Sequence, residues 1–361
     1  MISERTDSLS SETFRKRGRM EGLKILGLGS AIPSKRVHND DLAKLVDTSD
    51  EWIFPRTGIH ERRFCEKDES AGTLAVKAAK EAVEDAGLKG EDIGVIVVAT
   101  MSPDFSTPSL AAIVAKELGT KEDVPVLDLN AACSGFVYGL EVARGLLLST
   151  NKDYALVVGT EQLSRLLKIE DRTTSVIFGD GAGAAVVKRD AKALYASYLG
   201  SKGDYSIMAP GIYTGAFDGF YEDGTENPEK LGEGVSAGKH EKLDHLVMDG
   251  KGVFLFAIDI VPHCIEKVLE KTGDSLETVQ HVVCHQANSR IIRNVVRHMK
   301  ADPKKFFENM EYFGNTSGAS IPMALKDMQE KGLLHSKDKL VLVGFGSGLT
   351  YASAEIQYEK A

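Results

Sequence analysis

Cys133 sits in Ala131-Ala-Cys-Ser-Gly135, a knot of small residues between a short apolar run (124–129) and an apolar-rich helical pattern (137–148). A cysteine at a helix start meets unpaired N–H groups and the positive end of the macrodipole, which favour a thiolate. A small buried thiol packed under a turn fits the same pattern and is the commoner case for a lone cysteine. A nucleophile needs partners for the charge that develops on an acyl carbonyl. His285, at the end of an expected strand (279–284), and Asn315, in a second small-residue knot (312–322), are neutral donors suited to a thioester oxygen or an enolate. The backbone N–H groups of Cys133 and of Ser347, in the turn Gly346-Ser-Gly348, suit an oxyanion hole. Singly, a histidine at a strand end or an asparagine at a helix start is ordinary structure. On matching knots, the functional reading prevails.

His281-Val-Val-Cys-His285 suggests metal ligation only at first sight. On a strand the two histidines share a face but stand roughly 13 Å apart, too far for one ion. Arg290, Arg293 and Arg297 fall at i, i+3 and i+7 and line one helix face just after His285. That ridge suits a phosphate-bearing or acidic partner, and equally an ordinary solvated face. Trp52, the single tryptophan, lies near Arg56, and a guanidinium and an indole together can sandwich an aromatic base. The alternative is a core tryptophan under a loop.

These residues need a scaffold to meet. The chain has 361 residues, 42% hydrophobic and 27% charged, ordinary globular composition with no stretch long enough to span a bilayer. A net charge of −9 argues against general nucleic-acid binding. Four cysteines without a C-x-x-C pair point to a reducing, cytoplasmic compartment. Residues 1–19 are polar and Ser-rich and read as a disordered extension or an over-called start, not a secretory signal. Strands are expected at 23–28, 93–99, 154–158, 174–178, 182–187, 340–343 and 350–358. Helices are expected at 39–46, 71–86, 109–118, 252–269 with a break or kink at Pro262, and 289–299. The stretch 47–63 reads as a polar loop, and 201–245, within a broader 191–250 region, as a surface excursion or lid. Order repeats: strand, small-residue knot, helix, strand and glycine-rich turn recur, giving halves at 20–190 and 251–361 whose loops meet at one site.

The motifs as a set are specific. Asp50-Glu-Trp-Ile53 with Arg56-Thr-Gly-Ile59, Ala131-Ala-Cys-Ser-Gly-Phe136, Phe178-Gly-Asp-Gly-Ala-Gly183, His285-Gln-Ala-Asn288 and Gly314-Asn-Thr-Ser317 resemble β-ketoacyl-acyl-carrier-protein synthase III of the thiolase superfamily. The likeness runs from about residue 23 to 358. It implies an α/β thiolase-like five-layered αβαβα fold built from two pseudo-repeated halves, and a homodimer. It implies a triad of Cys133, His285 and Asn315 performing a decarboxylating Claisen condensation of an acyl-CoA with malonyl-acyl-carrier protein, without cofactor or metal. By the same resemblance Trp52, Arg56 and Arg172 hold coenzyme A, and Arg290, with Arg293 and Arg297 on its ridge, docks the carrier protein.

The chain departs from the family in places. Ser347 stands in a Gly-Gly-Gly turn and narrows the space there. Lys251 replaces a frequent asparagine, and Leu255 a basic position. Thr107 takes the place of a bulky acyl-pocket gate, which implies primers larger than acetyl. Two rivals remain open: a related ketoacyl synthase or acyltransferase of secondary metabolism, and a catalytically silent carrier-protein scaffold.

Overall fold

The computed structural model describes residues 21–211 and 243–360. The extension expected at 1–19 and the excursion between 212 and 242 lie outside the described residues.

The chain enters through β1 (Gly22–Ala31) and an antiparallel pair, β2 (Lys35–His38) and β3 (Glu61–Phe64). The helix expected at 39–46 closes after one turn, α1 (Asn39–Leu42), with His38 rather than Asn39 as its cap. The polar loop expected at 47–63 instead holds α2 (Asp50–Thr57) and β3. Ser49 caps α2 by accepting the Trp52 N–H, and Gly58 ends it at φ 78°, a left-handed stop that suits glycine. Only Ile53 and Thr57 of α2 are buried, so its pattern carries little apolar signal.

Next come α3 (Ala71–Asp85), β4 (Val95–Ala99), α4 (Leu110–Leu118), β5 (Val126–Leu129), α5 (Gly135–Thr150), β6 (Tyr154–Glu161) and β7 (Gly181–Asp190). The strand expected at 174–178 does not form. The Asp171 carboxylate accepts the hydroxyls of Thr173 and Thr174 and curls the segment, leaving Phe178 a single bridge, to Asn315. Part of the expected excursion is core sheet: β8 (Tyr195–Ser201) pairs along β13 (Thr350–Tyr358). Farther on, β9 (Ile207–Met208) and β10 (Val247–Met248) pair antiparallel, so the two ends of the excursion meet. Helix α6 (Gly250–Thr272) runs through Pro262 unbroken. The chain closes with β11 (His281–Cys284), α7 (Ser289–Met299), α8 (Met310–Phe313), α9 (Ser320–Glu330), β12 (Lys339–Gly346) and β13.

The strands run β11-β12-β13-β1-β7-β6-β4-β5, with β8 on β13. The middle of this sheet is thin: β1 and β13 share only the pairs Lys24–Gln357 and Ile25–Tyr358. Two arms result, β5-β4-β6-β7-β1 and β11-β12-β13-β8. In the first arm β5, β4 and β6 are parallel and β7 turns antiparallel. In the second, β11 and β12 are parallel and β13 turns antiparallel.

Alternation assigns the layers. Val95 and Val97 of β4 join Leu340 and Leu342 of β12 in one core with Leu140 and Leu147 of α5 and Leu325 and Met328 of α9. Ile96 and Val98 face α3 and α4 instead, and Val341 and Val343 face α6 and α7. Helices α5 and α9 therefore lie between the two arms, giving the αβαβα order. Each fully enclosed leucine of that middle layer contributes about 1.5–3 kcal/mol. Among the described residues no helix is long and apolar enough to cross a membrane.

Candidate active site

Two turns build the site. After β5, Asn130 Oδ1 accepts the Ala132 N–H at 3.1 Å, and Ala132 takes φ 47° before α5 begins at Gly135. Before α9, Asn315 Oδ1 accepts the Ser317 N–H at 2.9 Å, and Ser317 takes φ 49° before the helix begins at Ser320. Left-handed backbone at a non-glycine residue costs on the order of 1 kcal/mol. Here the asparagine bond and the packing of small residues offset it. The offset between the turns, 315 minus 130, is 185 residues. The same offset carries β6 (154–161) onto β12 (339–346).

Each turn rests on a glycine of the opposite arm. A Cβ on Gly344 of β12 would stand 2.6 Å from Ser134 Cα, and one on Gly159 of β6 would stand 2.2 Å from Gly318 O. These glycines are also 185 residues apart. The two arms thus exchange turns, which is how the sequence brings the small-residue knots together.

Cys133, 7% exposed, stands one turn before α5. A Cβ on Gly346 would lie 3.0 Å from its Sγ and 2.9 Å from its N, so only glycine fits there. Burial pushes the thiol up to about 12, although the Ser317 hydroxyl and the Cys133 N–H favour the thiolate. The helix start therefore does not prevail over burial, contrary to the expectation from sequence.

His285 follows β11 and donates its N–H to Val343 O at 2.7 Å. Burial alone pushes its imidazolium down to about 3, so the ring is neutral in the working range. Its Nδ1 lies 2.7 Å from Ser320 Oγ, which also accepts the Gln286 N–H. A Ser320 hydroxyl that donates to Nδ1 puts the ring proton on Nε2 and leaves Nε2–H as the free donor. Asn315 spends its oxygen on Ser317 and keeps its NH2 group for other partners.

Cys133, His285, Asn315 and Ser347 line one cavity of about 410 Å³ with Trp52, Arg56 and Arg172. The first three are buried, whereas Arg56 and Arg172 are exposed, so the cavity runs from surface to core. Both guanidiniums lie over the Trp52 ring, at 4.8 Å and 5.0 Å. Ser347 does not turn its hydroxyl on the thiol; it donates to Ile207 O of β9 at 2.7 Å and ties that ribbon to the cavity wall. Apolar lining comes from Met101, Phe178, Leu246, Met248 and Phe345. Among the described residues no group of three or more His, Cys, Asp or Glu could hold a metal.

Other expected residues lie elsewhere. Arg290, Arg293 and Arg297 are exposed on α7 outside the cavity, and Arg290 lies 5.6 Å over Phe254 at its rim. Thr107 is exposed and does not line this chain's cavity, because its loop leads away into α4. Sequence reasoning missed Glu161 and Ser317. Glu161 is fully buried behind the turns and burial pushes its carboxyl up to about 7. A glutamate closing an apolar strand reads as a polar stop, and nothing in its spacing marks it.

Models of 3-oxoacyl-[acyl-carrier-protein] synthase III match residues 127–203, and of its C-terminal part residues 269–358. A protein of Clostridium acetobutylicum named Beta-ketoacyl-[acyl-carrier-protein] synthase III is 41% identical over 342 residues, 94% of this chain and 100% of that one. The crystal structure of 3-oxoacyl-[acyl-carrier-protein] synthase III from Aquifex aeolicus is similar with TM-score 0.79 and 35% identity, covering 93% of this chain and 100% of that one. The priming β-ketosynthase of the R1128 polyketide pathway is similar with TM-score 0.82 and 33% identity, over 96% of this chain and 98% of that one.

Proposed function

The chain belongs to the β-ketoacyl-acyl-carrier-protein synthase III family, and from that premise we propose that it condenses an acyl-CoA primer with malonyl-acyl-carrier protein to begin fatty-acid synthesis. Cys133 Sγ attacks the acyl thioester carbon and coenzyme A leaves. The malonyl group then loses CO2, and its bonding electron pair passes into a thioester enolate. The enolate carbon attacks the acyl-cysteine, a carbon–carbon bond forms, and Cys133 is released with the 3-ketoacyl product. His285 Nε2–H and the Asn315 NH2 hold the enolate oxygen, while the N–H groups of Cys133 and Ser347 hold the oxyanion of acyl transfer.

One observation carries this reading: two fixed neutral donors, His285 and Asn315, share one cavity with a cysteine contributed from the other arm. Neutral donors favour an enolate without handing it a proton. Trp52, Arg56 and Arg172 hold the adenine end of coenzyme A, supported by their stacking at the exposed end of the cavity. The ridge of Arg290, Arg293 and Arg297 docks the acidic carrier protein, supported by the exposure of all three on one face of α7.

A homodimer completes the assembly. Among the described residues β5 pairs only with β4, and all four of its residues are half-buried along that edge. A free edge of this kind is a template for a second copy. The Asp128 carboxylate on β5 accepts the N–H groups of Leu110 and Ala111, fixing α4 and the Thr107 loop beside that edge. Thr107 then serves the acyl pocket from across the dimer. The division into halves at 20–190 and 251–361, a cytoplasmic location and a cofactor-free reaction belong to the same proposal.

Likeness to the R1128 priming enzyme favours a second reading, in which the same chemistry primes a secondary-metabolic chain. Turnover of purified enzyme with malonyl-carrier protein, malonyl-CoA and a panel of acyl-CoAs separates the two. Efficient condensation on malonyl-carrier protein is expected, and a strict need for another acceptor would end the primary reading.

A further inference from the structure

Glu161 ends β6 with its carboxyl enclosed, and among the described residues no cation pairs with it. Its oxygens accept from hydroxyls and an amide: Ser102 Oγ at 2.5 Å, Thr100 Oγ1 at 3.3 Å and Met101 N at 3.2 Å. On its other side lies the second turn, where a Cβ on Gly318 would stand 3.6 Å from Oε1. Next to Gly318, the Ser317 hydroxyl is 1% exposed and has no hydrogen-bond partner among the described residues. It nonetheless stands near enough to both the Cys133 thiol and the Glu161 carboxyl to favour the ionised form of each. A buried hydroxyl left unpartnered is costly unless it has work to do. Here it stands between a thiol that must lose a proton and a carboxylate able to take one.

We propose that Glu161, acting through the Ser317 hydroxyl, takes up the Cys133 proton when the cysteine is acylated and returns it when the product leaves. This rests on the condensing reading above. In the first half-reaction the S–H bond breaks, Ser317 Oγ receives that hydrogen and passes its own to Glu161, and the sulfur bonds the acyl carbon. Coenzyme A departs as a thiolate and takes its proton from solvent. In the second half-reaction the enolate displaces Cys133 as a thiolate, and the stored proton returns through Ser317. Charge balances at each stage: the negative charge leaves with coenzyme A, arrives with the malonyl carboxylate, and ends on Glu161. While the enzyme is acylated Glu161 is neutral, so no buried anion opposes the enolate. Neutral His285, with its imidazolium pushed down to about 3, is a poor acceptor for the thiol proton. Glu161 is a positioning residue in this scheme, since it reaches the sulfur only through Ser317.

The titratable groups around Glu161 are few. Cys133 faces it from the first turn, with His285 beyond in the same cavity. Past Ser102, Arg165 donates to Ser102 O and pairs with Asp104 at 3.9 Å.

The test is iodoacetamide alkylation of Cys133, followed by peptide mass from acid to alkaline pH, beside acyl loading from acyl-CoA. Wild-type alkylation is expected to rise through an inflection near 7. Glu161→Gln and Ser317→Ala are expected to lose that inflection and to react about 100-fold more slowly at neutral pH. A purely structural Glu161 would leave the inflection in Ser317→Ala. An unchanged inflection in either folded variant overturns the relay. Should Glu161→Gln not fold, the wild-type profile decides alone, and a smooth rise with hydroxide and no inflection overturns it. An inflection near 7 that persists while no acyl-CoA loads Cys133 supports the relay and counts against the condensing reading.

Discussion

The turn at Asn130 and the turn at Asn315 share a backbone: an asparagine oxygen on the amide two residues on, a left-handed residue, then a helix. Their side chains part ways. Where the first has Cys133, the second has Gly318, and where the second arm has His285 and Gly346, the first has Thr100 and Glu161. Asn130 is exposed, whereas Asn315 is 6% exposed and lines the cavity. One duplicated scaffold therefore presents a nucleophile from one arm and donors from the other. The glycine exchange, Gly159 under the second turn and Gly344 under the first, holds the two against each other. Specialisation came from side chains, not from backbone.

Breaking the first turn's chemistry is the largest effect expected. Cys133→Ser should leave no acyl-enzyme detectable by mass after incubation with acyl-CoA, because a buried hydroxyl is a far weaker nucleophile than a thiolate. Undiminished loading would contradict the assignment of roles to the turns.

Breaking the scaffold comes next. Gly159→Ala drives a methyl onto a carbonyl oxygen and should destabilise the protein by about 3 kcal/mol, with Gly344→Ala somewhat milder. Denaturant midpoints rank the two, and equal stability to wild type in both would refute the exchanged packing.

Glu161 gives a pH-dependent contrast of similar size. Its folded carboxyl is held at about 7, above the ordinary 4.5, so the folded state loses stability as pH rises from the lower value through the higher. The full loss is about 3 kcal/mol, and Glu161→Gln escapes it. Melting temperatures of variant and wild type should therefore diverge in the variant's favour as pH rises through that window and hold steady above it. Glu355, also pushed up to about 7 by burial, contributes the same trend to both proteins and cancels in the difference. A constant gap across the window would contradict the burial account.

The smallest effect sharpens the comparison at the cavity mouth. Arg172→Ala should raise KM for acyl-CoA roughly fivefold with kcat unchanged, the value of about 1 kcal/mol for an exposed stacked guanidinium. A fall in kcat at unchanged KM would place Arg172 in the chemistry instead.

Several of these features were readable in the residues. Small-residue knots flanked by apolar runs showed the repeat, since only Ala, Ser, Gly and Cys fit where two sheets exchange turns. Helix α7 was legible from Ser289 to Met299 because its apolar and basic faces separate cleanly. Helix α2 was not, since it buries only two side chains and carries Pro55. The segment at 174–178 has strand-forming residues, but Asp171 captures its hydroxyls and turns it first. β8 hid behind half-buried residues on both faces. Glu161 was invisible for a different reason: its meaning comes from Ser102 and Ser317, far along the chain, and from burial that no local pattern announces.

The division of labour between the turns is tested most directly with Asn315→Asp. Aspartate keeps the oxygen that accepts the Ser317 N–H and replaces the NH2 donor with an acceptor, so the turn survives and the enolate loses its partner. Acyl loading by mass and CO2 release from labelled malonyl-carrier protein are followed in the same sample. Loading at the wild-type level with CO2 release lowered about 100-fold or more is the predicted result. CO2 release at the wild-type rate, or loading and release lost together in a folded variant, would contradict it.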